Sequence, residues 1–294
     1  MEWVIGIPLI CALFAGPCAA QEDKARALHF KATVIDTHCD STQRLLDPAF
    51  DLGARHEEGA IDLPRMKEGG LDAQFFSIWV PGTVTGPRAV EQALAQIEAV
   101  RRQTRIHGRE LALATSSEGV TSAVRKGSIV ALMGVEGGHM IDDDLANLRR
   151  FYALGVRYLG LTWSVNTNWA DSSSDVPRHH GLTDFGRGVV REMNRLGLMV
   201  DVSHASDETF YDALAESRAP LIATHSSCRA LCDAPRNLSD RMIQDLAAKG
   251  GVIQINYYNA FLSQAFKDAQ LADGRRIEKE IDAAGRAKCG GDLG

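Results

Sequence analysis

Several common signatures are missing from this 294-residue chain, and each absence removes a class of protein. Its six cysteines form no Cys-x-x-Cys pair, so a structural zinc ribbon is not supported. No basic cluster stands out against a formal net charge of −6, which makes nucleic acid an unexpected partner. No Gly-x-Gly-x-x-Gly segment follows the first apolar run, which weakens a dinucleotide-binding interpretation. The remaining composition, 45% hydrophobic and 24% charged, suits one large α/β domain or two small ones.

The first twenty residues have the pattern of a secretory signal peptide. A short apolar run over residues 5–14 is followed by Gly16-Pro17 and by small residues ending at Ala20. That run is too short to cross a bilayer comfortably. Glu2 is atypical, because a lysine or arginine is expected near such an N-terminus. We expect cleavage after Ala20 and export to the periplasm or the medium, with an uncleaved interfacial anchor as the alternative.

Apolar runs alternate with segments of helical periodicity through the rest of the chain. Nearly continuous apolar runs indicate parallel strands that are buried on both faces. Seven such units in about 230 residues favour a (β/α)8 TIM-type barrel over an open doubly wound sheet. The predicted strands are 33–40, 73–80, 129–135, 158–163, 198–202, 220–224 and 252–257, with a minor strand near 111–114. The predicted helices are 23–31, 88–107, 144–154, 183–196, 206–216 and 239–249.

The end of the chain offers no convincing eighth barrel strand. Residues 268–294 are charged and glycine-rich, with a helical stretch near 275–284. We therefore expect an α/β barrel that lacks its last strand region in this chain. The predicted organisation is a signal peptide at 1–20, a barrel domain at 21–265 and an irregular or helical tail at 266–294.

Residues of the types that bind metals stand at the ends of four predicted strands. His38 and Asp40 are two residues apart on the first strand and therefore point to the same side. Glu136 follows the third strand, His204 the fifth and His225 the sixth. A single histidine at a strand end is more often structural. Together, however, these residues share the carboxyl edge where barrels place active sites, and they predict a site for zinc or a similar divalent ion.

Five ligands exceed the need of one tetrahedral zinc and divide well between two ions. His38 and Asp40 would bind one ion, His204 and His225 the other, and Glu136 would bridge them. Two ions about 3.5–4 Å apart can share a water molecule, lower its pKa and polarise a substrate carbonyl. The pattern therefore predicts hydrolysis, with Glu136 as the central catalytic residue.

The motifs that carry these residues resemble the membrane (renal) dipeptidase family of zinc metallopeptidases and its bacterial members. The matching segments, which run from about Ala32 to Phe261, are VIDTHCD, IDLPRMKEGGLDAQFFSIWVP, VEGGH, GVRYLGLTWSVNTNWAD, HGLTDFGRGVVREMNRLGLMVDVSH, APLIATHSSCRALC, PRNLSD and INYYNAF. The resemblance implies a (β/α)8 barrel with two Zn²⁺ ions, although other divalent ions are possible. It also implies dipeptide or dipeptide-like substrates and a possible homodimer.

Three further residues are candidates for substrate binding. The resemblance aligns Arg236 in PRNLSD with the arginine that holds the substrate's terminal carboxylate, a task suited to a bidentate guanidinium. Trp163 stands where many members have a histidine that helps to bind the substrate. Tryptophan offers one N–H and cannot accept a proton. Tyr258 in INYYNAF is expected to contact the substrate as well.

One family feature has no counterpart in this chain. The family carries an Asp-Phe-Asp-Gly segment whose aspartate handles the proton of the bridging water, and nothing after Phe261 matches it. The chain therefore looks like a truncated member. The leading interpretation is an exported binuclear zinc dipeptidase. The alternatives are a catalytically impaired metal- or peptide-binding remnant, and an amidohydrolase-like hydrolase of other amides, lactones or lactams.

Overall fold

A computed structural model describes residues 16–289 of the chain, and the side chains of residues 22–276. The predicted signal peptide lies outside this range except for residues 16–20, which begin the first helix. No helix among the described residues is both long and apolar enough to cross a membrane.

Helices and strands alternate along most of the chain. The strands are β1 (Ile35–Cys39), β2 (Ala73–Trp79), β3 (Leu111–Leu113), β4 (Ile129–Glu136), β5 (Val156–Gly160), β6 (Met199–Asp201), β7 (Ile222–Ser226) and β8 (Val252–Ile255). The helices are α1 (Gly16–Lys31), α2 (Thr42–Leu45), α3 (Leu63–Glu68), α4 (Pro87–Ile106), α5 (Ser117–Arg125), α6 (Leu145–Ala153), α7 (Asp184–Leu196), α8 (Asp207–Glu216), α9 (Asp240–Ala248), α10 (Asn259–Leu262) and α11 (Gln264–Cys289). A short 3₁₀ helix at Gly138–Ile141 follows β4.

All strand pairs are parallel, in the order β1-β2-β4-β5-β6-β7-β8. The minor strand β3 pairs with the start of β4, where Leu111 lies opposite Ile129. This curved parallel sheet with helices between its strands confirms the predicted (β/α)8 TIM-type architecture. The order places the carboxyl ends of β1, β4, β6 and β7 at one rim.

The sheet is nearly closed but remains open between its two outer strands. Thr37 on β1 donates a 2.7 Å hydrogen bond to the carbonyl of Thr224 on β7, so the first strand lies close to the far side of the sheet. No strand pair joins β8 to β1 among the described residues. Ile35, Val252 and Ile255 are 39%, 52% and 47% exposed along this opening. The described sheet therefore lacks a strand at the position where the sequence offered none.

Two apolar clusters divide the core according to the alternation of side chains along the strands. On β4, Met133 and Val135 belong to the larger cluster, which contains the helices around the sheet. Leu132 belongs to a smaller cluster with Phe75 and Tyr158 inside the barrel. Because successive side chains on a strand point to opposite faces, Glu136 continues the inward row of Leu132. The interior of the barrel is thus mainly apolar away from the rim and carries a carboxylate at the rim.

Local signals account for the helix and strand boundaries that position the site. Thr183 caps α7 by accepting a hydrogen bond from the amide of Gly186, and Gly197 ends the helix with a φ of 78°. Strand β5 begins at Val156, earlier than predicted, because Gly155 with a φ of 110° ends the preceding turn. Helix α11 begins well before the predicted helical stretch of the tail, where the Ser263 hydroxyl accepts from the amide of Phe266 at 3.3 Å.

Candidate metal centre

Glu136 lies at the middle of a cluster of histidines and contacts them with both carboxylate oxygens. Its Oε1 is 2.7 Å from Nε2 of His204 and 3.3 Å from Nε2 of His225. Its Oε2 is 3.4 Å from Nε2 of His38 and accepts a 2.9 Å hydrogen bond from the Ser77 hydroxyl. The two oxygens therefore face different partners.

All five predicted ligands lie together at this rim. Nε2 of His38 is 3.2 Å from Oδ1 of Asp40, and the rings of His38 and His225 stack with centroids 3.6 Å apart. Ligand atoms of His38, Glu136 and His225 all lie within 4.8 Å of one another. The Asp40 side chain is 62% exposed, whereas the other four are buried or nearly so. The centre is thus enclosed by the barrel and open on the side of Asp40.

Burial and charge set the pKa values of these groups. Burial opposes ionisation of Glu136, but the charge of His38 and the side-chain contacts with His204 and His225 hold its pKa well below the usual value. Burial alone would lower the pKa of His38, yet Glu136 and Asp40 raise it to about 10. Burial, with the charge of Arg236, lowers the pKa of His204 to about 4. Burial, with the charge of His38, lowers that of His225 to about 3. His204 and His225 are therefore neutral at pH 7, as metal ligands must be.

The chemistry of the donor set fits a divalent metal ion. Nε2 of His204 and Nε2 of His225 are only 3.0 Å apart, and both face the same carboxylate oxygen. A convergence of nitrogen and oxygen lone pairs is unfavourable unless protons or a cation lie between them. Imidazole and carboxylate are the ligands that zinc binds in catalytic sites. The residues present therefore fit the metal that their spacing predicted.

Polar side chains of the strands contact the predicted ligands, and no sequence motif marked them. Tyr158 on β5 lies with its hydroxyl 3.2 Å from Nδ1 of His38. Burial raises the pKa of Tyr158 well above its usual value, so the hydroxyl keeps its proton. The Thr224 hydroxyl is 2.8 Å from Nδ1 of His225, and it donates to Asp201. Ser77 is one of two polar residues, with Gln74, in the otherwise apolar strand β2, and it lies nearer the carboxyl end, which is the signal that could have revealed it.

Arg236 lies beside the histidines from the loop before α9. Its Nε donates a 2.7 Å hydrogen bond to the carbonyl of Ser203, the residue before His204. Its guanidinium carbon is 5.4 Å from the ring centroid of Phe261. Burial lowers the pKa of Arg236 to about 10, which still leaves it charged at pH 7. The structure therefore places a fixed positive charge next to the centre.

The other two predicted substrate-binding residues lie in different surroundings. Trp163 stacks on Trp79, the last residue of β2, with ring centroids 5.8 Å apart. Since Trp79 is paired in register with Glu136, this aromatic pair is at the rim. The Tyr258 hydroxyl instead accepts from the side-chain amide of Gln270 on α11 at 2.9 Å. Tyr258 is therefore turned towards the C-terminal helix, and its ring packs on Phe261 at 5.2 Å.

A cavity follows the open edge of the sheet and reaches the histidines. It has a volume of about 730 Å³, and residues of β1 and β8 line its sides. His38 and His225 line it as well. The centre can therefore be reached through the opening between the two outer strands.

The fold and the cluster together define a parallel (β/α) barrel with a candidate divalent-metal centre at the carboxyl ends of its strands. The chain belongs to the membrane dipeptidase family (peptidase family M19), whose profile matches residues 22–285. This match confirms the family that the motifs predicted.

Individual relatives agree with this assignment. Dipeptidase 3 of Macaca fascicularis is 41% identical over 244 residues, which are 79% of this chain and 49% of that protein. Dipeptidase 3 of Mus musculus is 43% identical over 245 residues, again 79% of this chain and 48% of that protein. The chain thus spans about half the length of the curated relatives it matches.

A solved structure is similar over most of the described fold. A metallo peptidase from Rhodobacter sphaeroides, crystallised with a phosphinate mimic of the dipeptide L-Ala-D-Ala, superposes with a TM-score of 0.74. The two sequences are 30% identical, and the match covers 79% of this chain and 76% of the other.

Proposed function

We propose that this protein hydrolyses dipeptides, or similar small molecules, with a pair of divalent metal ions that we expect to be Zn²⁺. The observation that carries the proposal is that the two carboxylate oxygens of Glu136 face different histidines. Oε1 faces His204 and His225, and Oε2 faces His38. Family membership supports the substrate class. So does the dipeptide mimic bound to the Rhodobacter sphaeroides relative.

The residues divide into two half-sites that share one carboxylate. His38 and Asp40 would hold one ion beside Oε2 of Glu136, and His204 and His225 the other beside Oε1. When bound, such ions lower the pKa of a coordinated water and polarise a carbonyl group. The protein contributes neutral imidazoles at His204 and His225. It also contributes a buried carboxylate that stays ionised across the physiological range.

Arg236 and the aromatic pair would orient the substrate. A guanidinium held by Ser203 and Phe261 is preorganised to bind the terminal carboxylate of a dipeptide. Trp163, stacked on Trp79, would form an apolar wall against a substrate side chain. Tyr258 remains a predicted substrate contact, and its hydroxyl would have to leave Gln270 to take that role.

A binding protein without turnover is the second candidate. The observation that favours it is Trp163, whose indole can donate one hydrogen bond but cannot carry a proton for the reaction. A purified chain that binds two zinc ions and cleaves no dipeptide in a broad panel would support this candidate over the enzyme.

The test is zinc content together with dipeptide hydrolysis, in the parent chain and in His204→Ala. We expect about two zinc ions per parent chain, and a variant that keeps its circular dichroism but loses metal and turnover. His107→Ala is the matched control, because His107 is bonded to Asp51 away from the centre. Unchanged turnover in His204→Ala would overturn the proposed metal centre.

We also propose that the protein is exported, on the pattern of its first twenty residues. N-terminal sequencing of the protein recovered outside the cytoplasm should begin at Gln21. An intact Met1 on the exported form would contradict cleavage after Ala20, and retention of all the protein in the cytoplasm would contradict export.

A further inference from the structure

Asp201, at the end of β6, accepts four hydrogen bonds although it touches none of the proposed ligands. Its Oδ1 accepts from the amide of Ser203 at 3.1 Å, from the hydroxyl of Ser203 at 2.6 Å and from the amide of Thr224 at 3.1 Å. Its Oδ2 accepts from the hydroxyl of Thr224 at 2.8 Å. Asp201 is 2% exposed, so these protein donors take the place of water.

We propose that Asp201 and Thr224 are positioning residues that keep a proton on Nδ1 of His225 and leave its Nε2 free to bind a metal ion. The inference rests on the proposed metal centre, because it assigns the atom through which His225 would bind. It adds two residues to that centre, neither of which is a proposed metal ligand or substrate contact.

The direction of the hydrogen bonds follows from the single proton of the Thr224 hydroxyl. A carboxylate only accepts, so the proton of Thr224 points to Oδ2 of Asp201. If it pointed to His225 instead, a buried carboxylate oxygen would lose its donor, which is costly. The Thr224 oxygen must then accept from Nδ1–H of His225 at 2.8 Å. An imidazole protonated on Nδ1 has its lone pair on Nε2, the atom that faces Glu136.

The same arrangement recurs at His38 with a different hydroxyl. Tyr158 donates to the carbonyl of Thr37 at 3.2 Å, so its oxygen accepts from Nδ1 of His38, also at 3.2 Å. Since a carbonyl cannot donate, the Tyr158 hydroxyl makes both hydrogen bonds only in this direction. By contrast, Nδ1 of His204 has no hydrogen-bond partner among the described residues. Hydroxyls thus orient one histidine in each proposed half-site.

Asp201→Asn tests the proposal because the change is nearly isosteric and acts on the direction of one bond. Two backbone amides point at Oδ1, so the side-chain oxygen of Asn must stay there and its NH₂ must face Thr224. The Thr224 oxygen then accepts a hydrogen bond from that NH₂. The hydroxyl proton of Thr224 is free to point to Nδ1 of His225, which at 2.8 Å is closer than the Ser203 hydroxyl at 3.1 Å. His225 should gain the tautomer with its proton on Nε2.

The measurements are ¹⁵N NMR of labelled histidine in the protein stripped of metal, and zinc affinity by competition with a chromophoric chelator. In the parent we expect His225 to be protonated on Nδ1. In Asp201→Asn we expect a shift towards Nε2–H and zinc affinity about 10–100-fold weaker. Asp62→Asn is the matched control, since Asp62 is a buried carboxylate that binds Arg65 and the amide of His56 instead. It should leave zinc affinity within about threefold of the parent value.

Thr224 provides a second, independent comparison. Thr224→Val removes the hydroxyl at nearly constant volume and should weaken zinc binding by about 10–100-fold. Thr224→Ser keeps the hydroxyl and should bind zinc with an affinity close to that of the parent. Thr209→Val, which removes another buried hydroxyl that donates to a backbone carbonyl, controls for lost stability. A His225 tautomer unchanged in Asp201→Asn, or equal zinc affinity in Thr224→Val and Thr209→Val, would overturn the inference. If the parent binds no zinc, the proposed function fails, and the tautomer alone then decides whether the hydrogen-bond direction is right.

Discussion

Glu136 and His204 meet at 2.7 Å although 68 residues separate them along the chain. Glu136 ends β4 and His204 follows β6, with β5 between those strands in the sheet. A contact across an intervening strand requires both side chains to lean into the barrel. The candidate centre therefore depends on the curvature of the sheet, and its predicted ligands are sensitive to groups that pack inside the barrel.

Glu136→Gln should disable both proposed half-sites. The side-chain amide of the glutamine carries no charge. Its NH₂ must face either the pair His204 and His225 or the pair His38 and Ser77, so one of the two pairs loses its acceptor. We expect fewer than one tightly bound zinc per chain by elemental analysis, and no measurable dipeptide hydrolysis. Two bound zinc ions in this variant would contradict the bridging role.

Ser77→Ala should weaken metal binding without abolishing it. The Ser77 hydroxyl donates to Oε2 of Glu136 at 2.9 Å, and its loss frees the carboxylate to rotate. We expect zinc affinity about tenfold weaker in chelator competition, as is typical for the partner of a metal ligand. The free energy of unfolding should fall by about 1 kcal/mol in urea titration. An unchanged zinc affinity would show that the histidines alone orient Glu136.

Gly134→Ala should be destabilising because of Tyr158. A Cβ at Gly134 would overlap the Tyr158 ring, whose hydroxyl contacts His38. We expect a loss of about 1–3 kcal/mol in the free energy of unfolding, the usual cost of overpacking. Gly188→Ala on α7 is the control, since its Cβ would meet only a flexible arginine tip at 3.8 Å. There the better helix propensity of alanine should stabilise the fold by up to about 1 kcal/mol. Equal stability of the two variants would contradict the proposed packing.

Glu192 should make stability depend on acid pH. Hydrogen bonds from Arg195 and Arg149 lower its pKa from 4.5 to about 2. The folded state therefore binds its proton more weakly than the unfolded state, and the stabilisation is complete above about pH 4.5 and lost as pH falls towards 2. Both arginines are more than half exposed, so we expect about 1 kcal/mol or less. Glu192→Gln should be less stable than the parent at pH 7 in urea titration, and the difference should shrink as the pH approaches 2. A difference that grows with acidity would have the wrong sign.

Arg236→Lys should affect substrate binding more than turnover. Lysine keeps the charge but loses the fork that a carboxylate binds at two points. We expect KM for dipeptides to rise about tenfold, which corresponds to about 1.4 kcal/mol, with a smaller change in kcat. For substrates with an amidated C-terminus, which lack the carboxylate, KM should be similar in the parent and in Arg236→Lys. An unchanged KM would remove Arg236 from the substrate site.

Much of the molecule could be predicted from local patterns. Apolar runs bounded by glycine and polar residues indicated most of the strands, and Thr183 with Gly197 marked both ends of α7. Boundaries failed where tertiary contacts decided them. Leu161 and Thr162 belong to the predicted strand 158–163, but β5 ends at Gly160. Gly160 is paired with Asp201, the last residue of the neighbouring strand β6, so the pairing stops there. The end of β5 therefore depends on a strand about 40 residues away and leaves no local signal.

The sequence alone determined which residues could bind metal, because His38, Asp40, Glu136, His204 and His225 follow apolar runs, and parallel strands bring their carboxyl ends to one rim. Only the tertiary structure decided how these side chains share the site. It divided the two oxygens of Glu136 between different histidines and turned Tyr258 towards α11. It also brought Ser77, Tyr158, Asp201 and Thr224 beside the predicted ligands. The physical reason is that strand periodicity fixes which face a residue occupies, whereas hydrogen-bond partners depend on distances between strands that only the closed sheet sets.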